Sequence, residues 1–336
     1  MMRAPLILPT IDTIRAARAR IAGIARHTSC RRAEIQMPGG APARIREVYL
    51  KLETEQPIGS FKIRGAASAV TAATQESLAG GVWTASAGNM AQGAAWMARE
   101  RGVQCRVVVP DHAPQRKLDA ITALGASYEK VPFDAWWNAM QTRSYPGMTG
   151  LMIHPFADTA VMAGNGTIGL ELAEQAPELD AVLVPWGGGG LALGIAAALR
   201  AVSPRTRVYA VEVETAAPLT ASFAAGKPVT VSRTPTFIDG MGSDRVLDET
   251  WPLVSGLLAG TIVVTVAQVA DALRLLFETA GVTAEGAGAA TVAAALAGRV
   301  NDVKRGRLEA ARVACIISGG NIDAGIVTTI LGGALP

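Results

Sequence analysis

AVLVPWGGGGLALGIAAALR, residues 181–200, decides how this chain is read. The apolar run from Ala181 to Pro185 predicts a buried strand, and the alanine- and leucine-rich run from Leu191 onward predicts a helix. Between them stand Gly187, Gly188, Gly189 and Gly190. A strand that turns through glycines straight into a helix is the hinge of an α/β crossover. Residues without a Cβ let successive backbone N–H groups converge on a ligand, and the helix adds its positive dipole end. The segment therefore predicts a phosphate cradle made of backbone alone. No Lys-Ser or Lys-Thr follows the glycines, so it is not a nucleotide P-loop, and the Rossmann spacing is not matched. A flexible turn is the alternative, but strand and helix bracket the glycines too tightly for a linker.

Outward from this hinge, short β-branched runs alternate with longer helical stretches, as expected for α/β layers around a mostly parallel sheet. Strands are predicted at 48–52, 81–84, 105–109, 128–131, 151–154, 181–185, 208–213, 262–266 and 313–317. Helices are predicted at 10–25, 61–71, 90–101, 114–124, 160–176, 191–201, 267–280, 286–297 and 323–331. Residues 230–248 show neither period and read as a long loop, and 132–150 are the most irregular part of the first half. The chain has 336 residues, enough for two lobes around a large core, although composition marks no boundary. With 50% hydrophobic and 18% charged residues it has the balance of a globular enzyme. The net charge of +3 is small, and Arg15, Arg18, Arg20, Arg26, Arg31 and Arg32 lack interleaved aromatics, so they read as a solvated face rather than a nucleic-acid patch. Cys30, Cys105 and Cys315 form neither a disulfide framework nor a zinc spacing. The opening MMRAPLILPTID is too short and proline-broken for a signal peptide, and no apolar run is long enough to span a membrane, so a cytoplasmic location is expected.

Three more segments carry chemistry. In GSFKIRGA, Lys62 follows Gly59-Ser60-Phe61 and opens an alanine-rich helix. Burial there would lower its pKa and leave a neutral amine able to condense with an aldehyde, whereas at the surface Lys62 and Arg64 would be ordinary cations. In VWTASAGNMAQG, a strand leads through Ser86-Ala87-Gly88-Asn89 into a helix whose N-terminus suits a carboxylate or a ring hydroxyl. In VACIISGGNIDAG, a buried strand ends in Ser318-Gly319-Gly320-Asn321 at the carboxyl edge of the sheet, where open α/β sheets place ligands. A plain capped turn is the alternative reading of both.

Taken in order, GSFKIRGA, SAGNMAQG, HPF, AGNGTIGLEL, PWGGGGLALGIA, FIDGMGS, EGAGA and SGGNID resemble, over nearly the whole chain, the fold type II pyridoxal-phosphate enzymes, close to serine and threonine dehydratases and serine racemases. The resemblance implies an α/β fold of the tryptophan synthase β type, with two open lobes and the cofactor between them. The large domain would comprise residues 1–55 and 151–336, and a small, mobile domain residues 56–150. It implies that Lys62 carries pyridoxal 5′-phosphate as a Schiff base and later moves the Cα proton. Phe61 would pack on one face of the ring, Asn89 would meet its phenolic oxygen, and Ser318 its pyridine nitrogen. Gly187, Gly188, Gly189, Gly190 and Leu191 would hold the phosphate through backbone amides. Ser86, Ala87, Gly88 and Asn89 would receive the substrate carboxylate, with Gly240 near the substrate and Glu285 near the ring.

The activity so implied is that of a carbon–oxygen lyase of amino-acid metabolism, an ammonia-lyase of the EC 4.3.1 type. It would convert L-threonine or L-serine to a 2-oxo acid and ammonia, and act as a cytoplasmic homodimer. Departures from the family pattern refine this. Ala87 stands where the racemases carry a second base, a serine, which favours elimination. Met90 replaces the usual histidine, suggesting either a less polar surround or helix packing; Asn165 replaces a glutamine, and Thr28-Ser29-Cys30 replaces Thr-Pro-Leu. Glu212 matches a divalent-cation ligand of some relatives, but the second acidic position falls on Pro218, so no metal site is expected. The end of the chain shortly after SGGNID leaves no room for a regulatory domain. The rivals are a dehydratase for phenylserine or hydroxyaspartate, with Trp136 and Trp137 compatible with an altered pocket, a serine racemase, a β-replacement enzyme, and a non-catalytic anion-binding protein.

Overall fold

The computed structural model describes residues 5–33, 45–241, 243–298 and 310–336. Residues 1–4 of the opening segment and Gly242 of FIDGMGS lie outside them. Two separate sheets organise the rest. The larger holds β1 (Cys30–Ala33), β2 (Glu47–Leu52), β7 (Ala181–Pro185), β8 (Arg207–Val213), β9 (Gly260–Val264) and β10 (Arg312–Ile317), in the order β1-β2-β10-β7-β8-β9. Only the β1–β2 pair is antiparallel. The smaller sheet is all parallel, in the order β5-β4-β3-β6, from β3 (Val82–Ala85), β4 (Cys105–Pro110), β5 (Ser127–Val131) and β6 (Leu151–Met152).

The helices are α1 (Ile11–Ile21), α2 (Lys62–Ala72), α3 (Gln75–Leu78), α4 (Asn89–Arg101), α5 (Gln115–Ala123), α6 (Phe133–Thr142) and α7 (Thr159–Gln175), then α8 (Gly190–Val202), α9 (Pro218–Ala225), α10 (Trp251–Val254), α11 (Val266–Ala280), α12 (Gly286–Ala297) and α13 (Ala324–Leu331). Each predicted strand and helix is present, within a few residues at its ends. The loop expected at 230–248 holds no helix or strand among its described residues. The irregular stretch 132–150 in fact contains α6, whose Phe133, Trp136 and Trp137 rings pack on one another.

The strand missed in sequence is β1, and its chemistry explains why. Arg31 and Arg32 sit on an edge, where charge blunts pairing with other chains and hides the hydrophobic period. At the centre, β7 is buried at every residue, the run expected of a parallel strand covered on both faces. Its helix α8 is buried from Gly190 to Leu199. Leu193, Ile195 and Leu199 there each contribute about 1.5–3 kcal/mol by leaving water. Cys105 and Cys315 are buried, and burial pushes both thiols up, Cys105 to about 12, so they behave as core residues. No described helix is long and apolar enough to cross a membrane.

Beneath α2 lies a buried ionic network. Arg64 donates to Glu53 through Nε at 2.8 Å and to Glu171 through Nη1 at 2.6 Å, while Lys51 reaches Glu171 at 2.5 Å. Burial works against the Arg64 charge, but Glu53 and Glu171 outweigh it and raise its pKa. Arg64 is therefore not the surface cation that its neighbourhood in sequence allowed.

Candidate active site

Lys62 is the first residue of α2. Its Nζ donates to the Pro155 carbonyl at 2.7 Å and lies 5.0 Å from the centroid of the Phe61 ring. Burial brings the amine down to about 8, with the charge of Glu285 pulling the other way. Lys62 is therefore not the freely exposed cation that its sequence allowed, and its amine is shifted toward the neutral form.

The turn before Lys62 is stitched to the loop after β10. Phe61 N donates to Ser318 O at 3.0 Å, Gly320 N to Gly59 O at 2.9 Å, and Ser60 bridges Gly319. Ser318 thus sits beside Lys62, although 258 positions separate Ser60 from Ser318 in the chain. Its hydroxyl is buried and has no partner among the described residues.

The glycine loop closes another side. A Cβ on Gly188 would stand 2.1 Å from Phe156 Cγ, so the HPF turn can press onto the loop only because this position is bare. Gly189, with φ +92°, caps α8 in a conformation that side chains disfavour. Among the described residues no acceptor meets the amides of Gly187, Gly188, Gly189, Gly190 or Leu191. They stand at the start of α8 with the Leu191 side chain turned into the core. His154-Pro155-Phe156 therefore touches both Lys62 and the glycine loop, a contact its sequence did not reveal.

Asn89 opens α4 but does not cap it: no side chain caps this helix, and Ser86 Oγ instead accepts from Gly88 N at 3.3 Å. The Asn89 amide turns across to Glu285, donating to its two oxygens at 2.9 and 3.2 Å. Burial lifts Glu285 to about 7, against the Asn89 hydrogen bond. The same carboxylate lies over Gly319 and Gly240, where an added Cβ would meet Glu285 Oε1 at 2.8 and 3.4 Å. Gly187 in turn faces the Gly240 carbonyl. Lys62, Ser318, Gly319, Glu285, Gly240, the glycine loop and the HPF turn thus form one closed ring of contacts.

Two peripheral expectations are also decided. Met90 is 1% exposed and packs in the core of the smaller sheet with Ala94 and Met97, so it lines no pocket. Glu212 is buried on β8 and accepts from the amides of Leu219 and Thr220, each at 2.8 Å, and from the Thr220 hydroxyl at 2.6 Å. It serves as an acceptor for the first turn of α9.

These residues fit pyridoxal phosphate on three counts. A depressed amine suits the aldehyde, free backbone amides at a helix start suit the phosphate, and an unpartnered buried hydroxyl suits the pyridine nitrogen. The chain is 37% identical over 327 residues to an L-threonine ammonia-lyase of Thermotoga maritima, covering 96% of this chain and 78% of that one. Among solved structures it resembles maize serine racemase, with 33% identity, a TM-score of 0.86 and coverage of 97% and 98%. It also resembles a threonine deaminase from T.th., with 32% identity, a TM-score of 0.78 and coverage of 94% and 99%. Residues 31–319 match a family described as pyridoxal-phosphate dependent enzymes. The chain belongs to that family, in its fold type II form, and pyridoxal phosphate is its cofactor.

Proposed function

We propose that this enzyme is an ammonia-lyase that converts L-threonine or L-serine to a 2-oxo acid and ammonia. The observation that carries the reading is the pairing of one proton-moving amine, Lys62, with an apolar residue, Ala87, in the carboxylate loop. A racemase needs a second base on the opposite face. Ala87 offers none, so proton removal is one-sided and elimination is favoured.

Pyridoxal phosphate, when bound, supplies a conjugated ring that takes up the Cα–H electrons as the proton leaves. Lys62 would hold the cofactor through its aldehyde and, as a free amine, would take the Cα proton of the substrate. The depressed amine makes that step feasible near neutral pH. Gly187 to Leu191 would hold the phosphate, Ser318 would meet the pyridine nitrogen as a neutral partner, Asn89 would meet the ring oxygen, and Phe61 would cover a ring face. The amides of Ala87 and Asn89, at the start of α4, receive the substrate carboxylate beside Ser86 and Gly88, and Gly240 lines the substrate side. Loss of the Cα proton and the β-hydroxyl as water leaves an enamine, which takes up water and releases ammonia.

The two-lobe division, with residues 56–150 moving as the small lobe, belongs to the same proposal; the pairing of β6 with β3 carries that lobe slightly past residue 150. So do the cytoplasmic location and the homodimer, which a sizing column tests by elution at the mass of two chains. The reaction is tested with a panel of β-hydroxy amino acids assayed for 2-oxo acid. Release from threonine and serine, without formation of D-serine, is expected. Turnover confined to phenylserine or hydroxyaspartate, or rapid racemisation of serine, overturns the assignment.

A further inference from the structure

Two amides and a carboxylate stand in line across the loops around Lys62. Asn321 Nδ2 donates to the Ile58 carbonyl at 2.9 Å and to Asn89 Oδ1 at 2.8 Å, and Asn89 Nδ2 donates to Glu285. Chemistry forces these orientations. A backbone carbonyl only accepts, so the end of Asn321 that meets Ile58 must be its nitrogen. The second N–H of that nitrogen needs an acceptor, so Asn89 turns its oxygen to Asn321. The nitrogen of Asn89 is then left facing Glu285.

We infer that Asn321 is a positioning residue: by fixing the Asn89 amide, it makes Asn89 present an N–H rather than a carbonyl to the cofactor. The inference rests on the proposed role of Asn89 at the ring oxygen. The Asn89 nitrogen carries two hydrogens; one shared between the two Glu285 oxygens, at 2.9 and 3.2 Å, leaves the other for that oxygen. With Asn321 removed, the Asn89 oxygen loses its donor and only Glu285 still orients the amide; that weaker hold lets a flip set a carbonyl against an electron-rich ring atom. Asn321 is itself exposed, and the backbone bonds Phe61 N to Ser318 O and Gly320 N to Gly59 O do not involve its side chain. Its loss should therefore leave the loop in place.

The test titrates the apoenzyme with pyridoxal phosphate, following the violet absorption, for wild type, N321A and N321D, alongside melting curves of the same apoproteins. N321A is expected to bind about tenfold more weakly, the scale of one lost hydrogen bond. N321D is expected to bind at least as weakly, because its carboxylate keeps the shape but can donate to neither Ile58 nor Asn89. Melting temperatures should change little. Binding by N321D equal to wild type, with or without a loss in N321A, overturns the inference, since shape alone would then suffice. So does failure of both variants to fold, which would make Asn321 a structural tie. A wild type that takes up no cofactor overturns the proposed function and this inference with it; a wild type that binds, with variants that match it, refutes the role of Asn321 alone.

Discussion

Lys62 and Glu285 share one buried space and are both shifted toward their neutral forms. A general base contributes about 10²–10⁴-fold, so Lys62→Ala should lose about 10³-fold or more in turnover along with the violet absorption. Only the neutral amine attacks an aldehyde, so cofactor loading should accelerate as pH rises through about 8 and then level off. Stopped-flow mixing at several pH values reads this directly. Glu285 acts on stability in the opposite part of the scale. Its folded pKa, about 7, lies above the ordinary 4.5, so the folded state binds this proton more tightly than the unfolded chain. The cost of charging it is absent below about 4.5, grows from there, and is complete above about 7. E285Q has no such cost. The melting temperature of E285Q relative to wild-type apoprotein should thus rise from pH 4.5 to 7 and flatten above; a pH-independent difference would show that Glu285 is not so shifted.

At the scale of elements, α2 and α8 are placed by different forces. Arg64 anchors α2 through Glu53 and Glu171 in a site closed to water. Arg64→Met would leave buried Glu53 without its cation and Glu171 with Lys51 alone, and should cost about 3–5 kcal/mol in urea unfolding. α8 is placed by apolar burial, and its entrance depends on a close approach. Gly188→Ala drives a methyl group into the Phe156 ring and must displace the HPF turn that also supplies the acceptor of Lys62. Cofactor affinity should fall at least about tenfold, the loss expected when oriented amides shift. The strand, glycine turn and helix of this element were legible because all three signals are local. By contrast, β1 and α6 were not, since edge arginines mask one period and clustered aromatics the other. Met90 was legible as a departure from the family pattern but not as a core residue, because its direction depends on how α4 lies on the smaller sheet.

At the scale of the molecule, α5 is tied by ion pairs to loops of the larger-sheet half. Arg116 pairs with Asp323 at 2.9 Å and Lys117 with Asp239, which adjoin the SGGN loop and Gly240 respectively. All four side chains are at least partly exposed, so each pair is worth about 0–1 kcal/mol and is screened by salt. Raising ionic strength should therefore raise KM by no more than about threefold while leaving kcat nearly unchanged. Steady-state kinetics at low and high salt would check this, and a large fall in kcat would show that these pairs hold the reacting groups themselves.

The sequence by itself determined the α/β class, the strand–glycine–helix turn at 181–200 and, through its set of motifs, the family and its cofactor. Each of these rests on local chemistry: a period of apolar residues, a run without Cβ atoms, a residue type in a recognisable setting. Only the tertiary structure decided that Lys62 is depressed, that Pro155 is its partner, that Asn89 is turned toward Glu285 instead of capping its own helix, and that Asn321 ties the two loops together. Those facts depend on burial and on contacts between segments up to 263 residues apart, which no local pattern encodes.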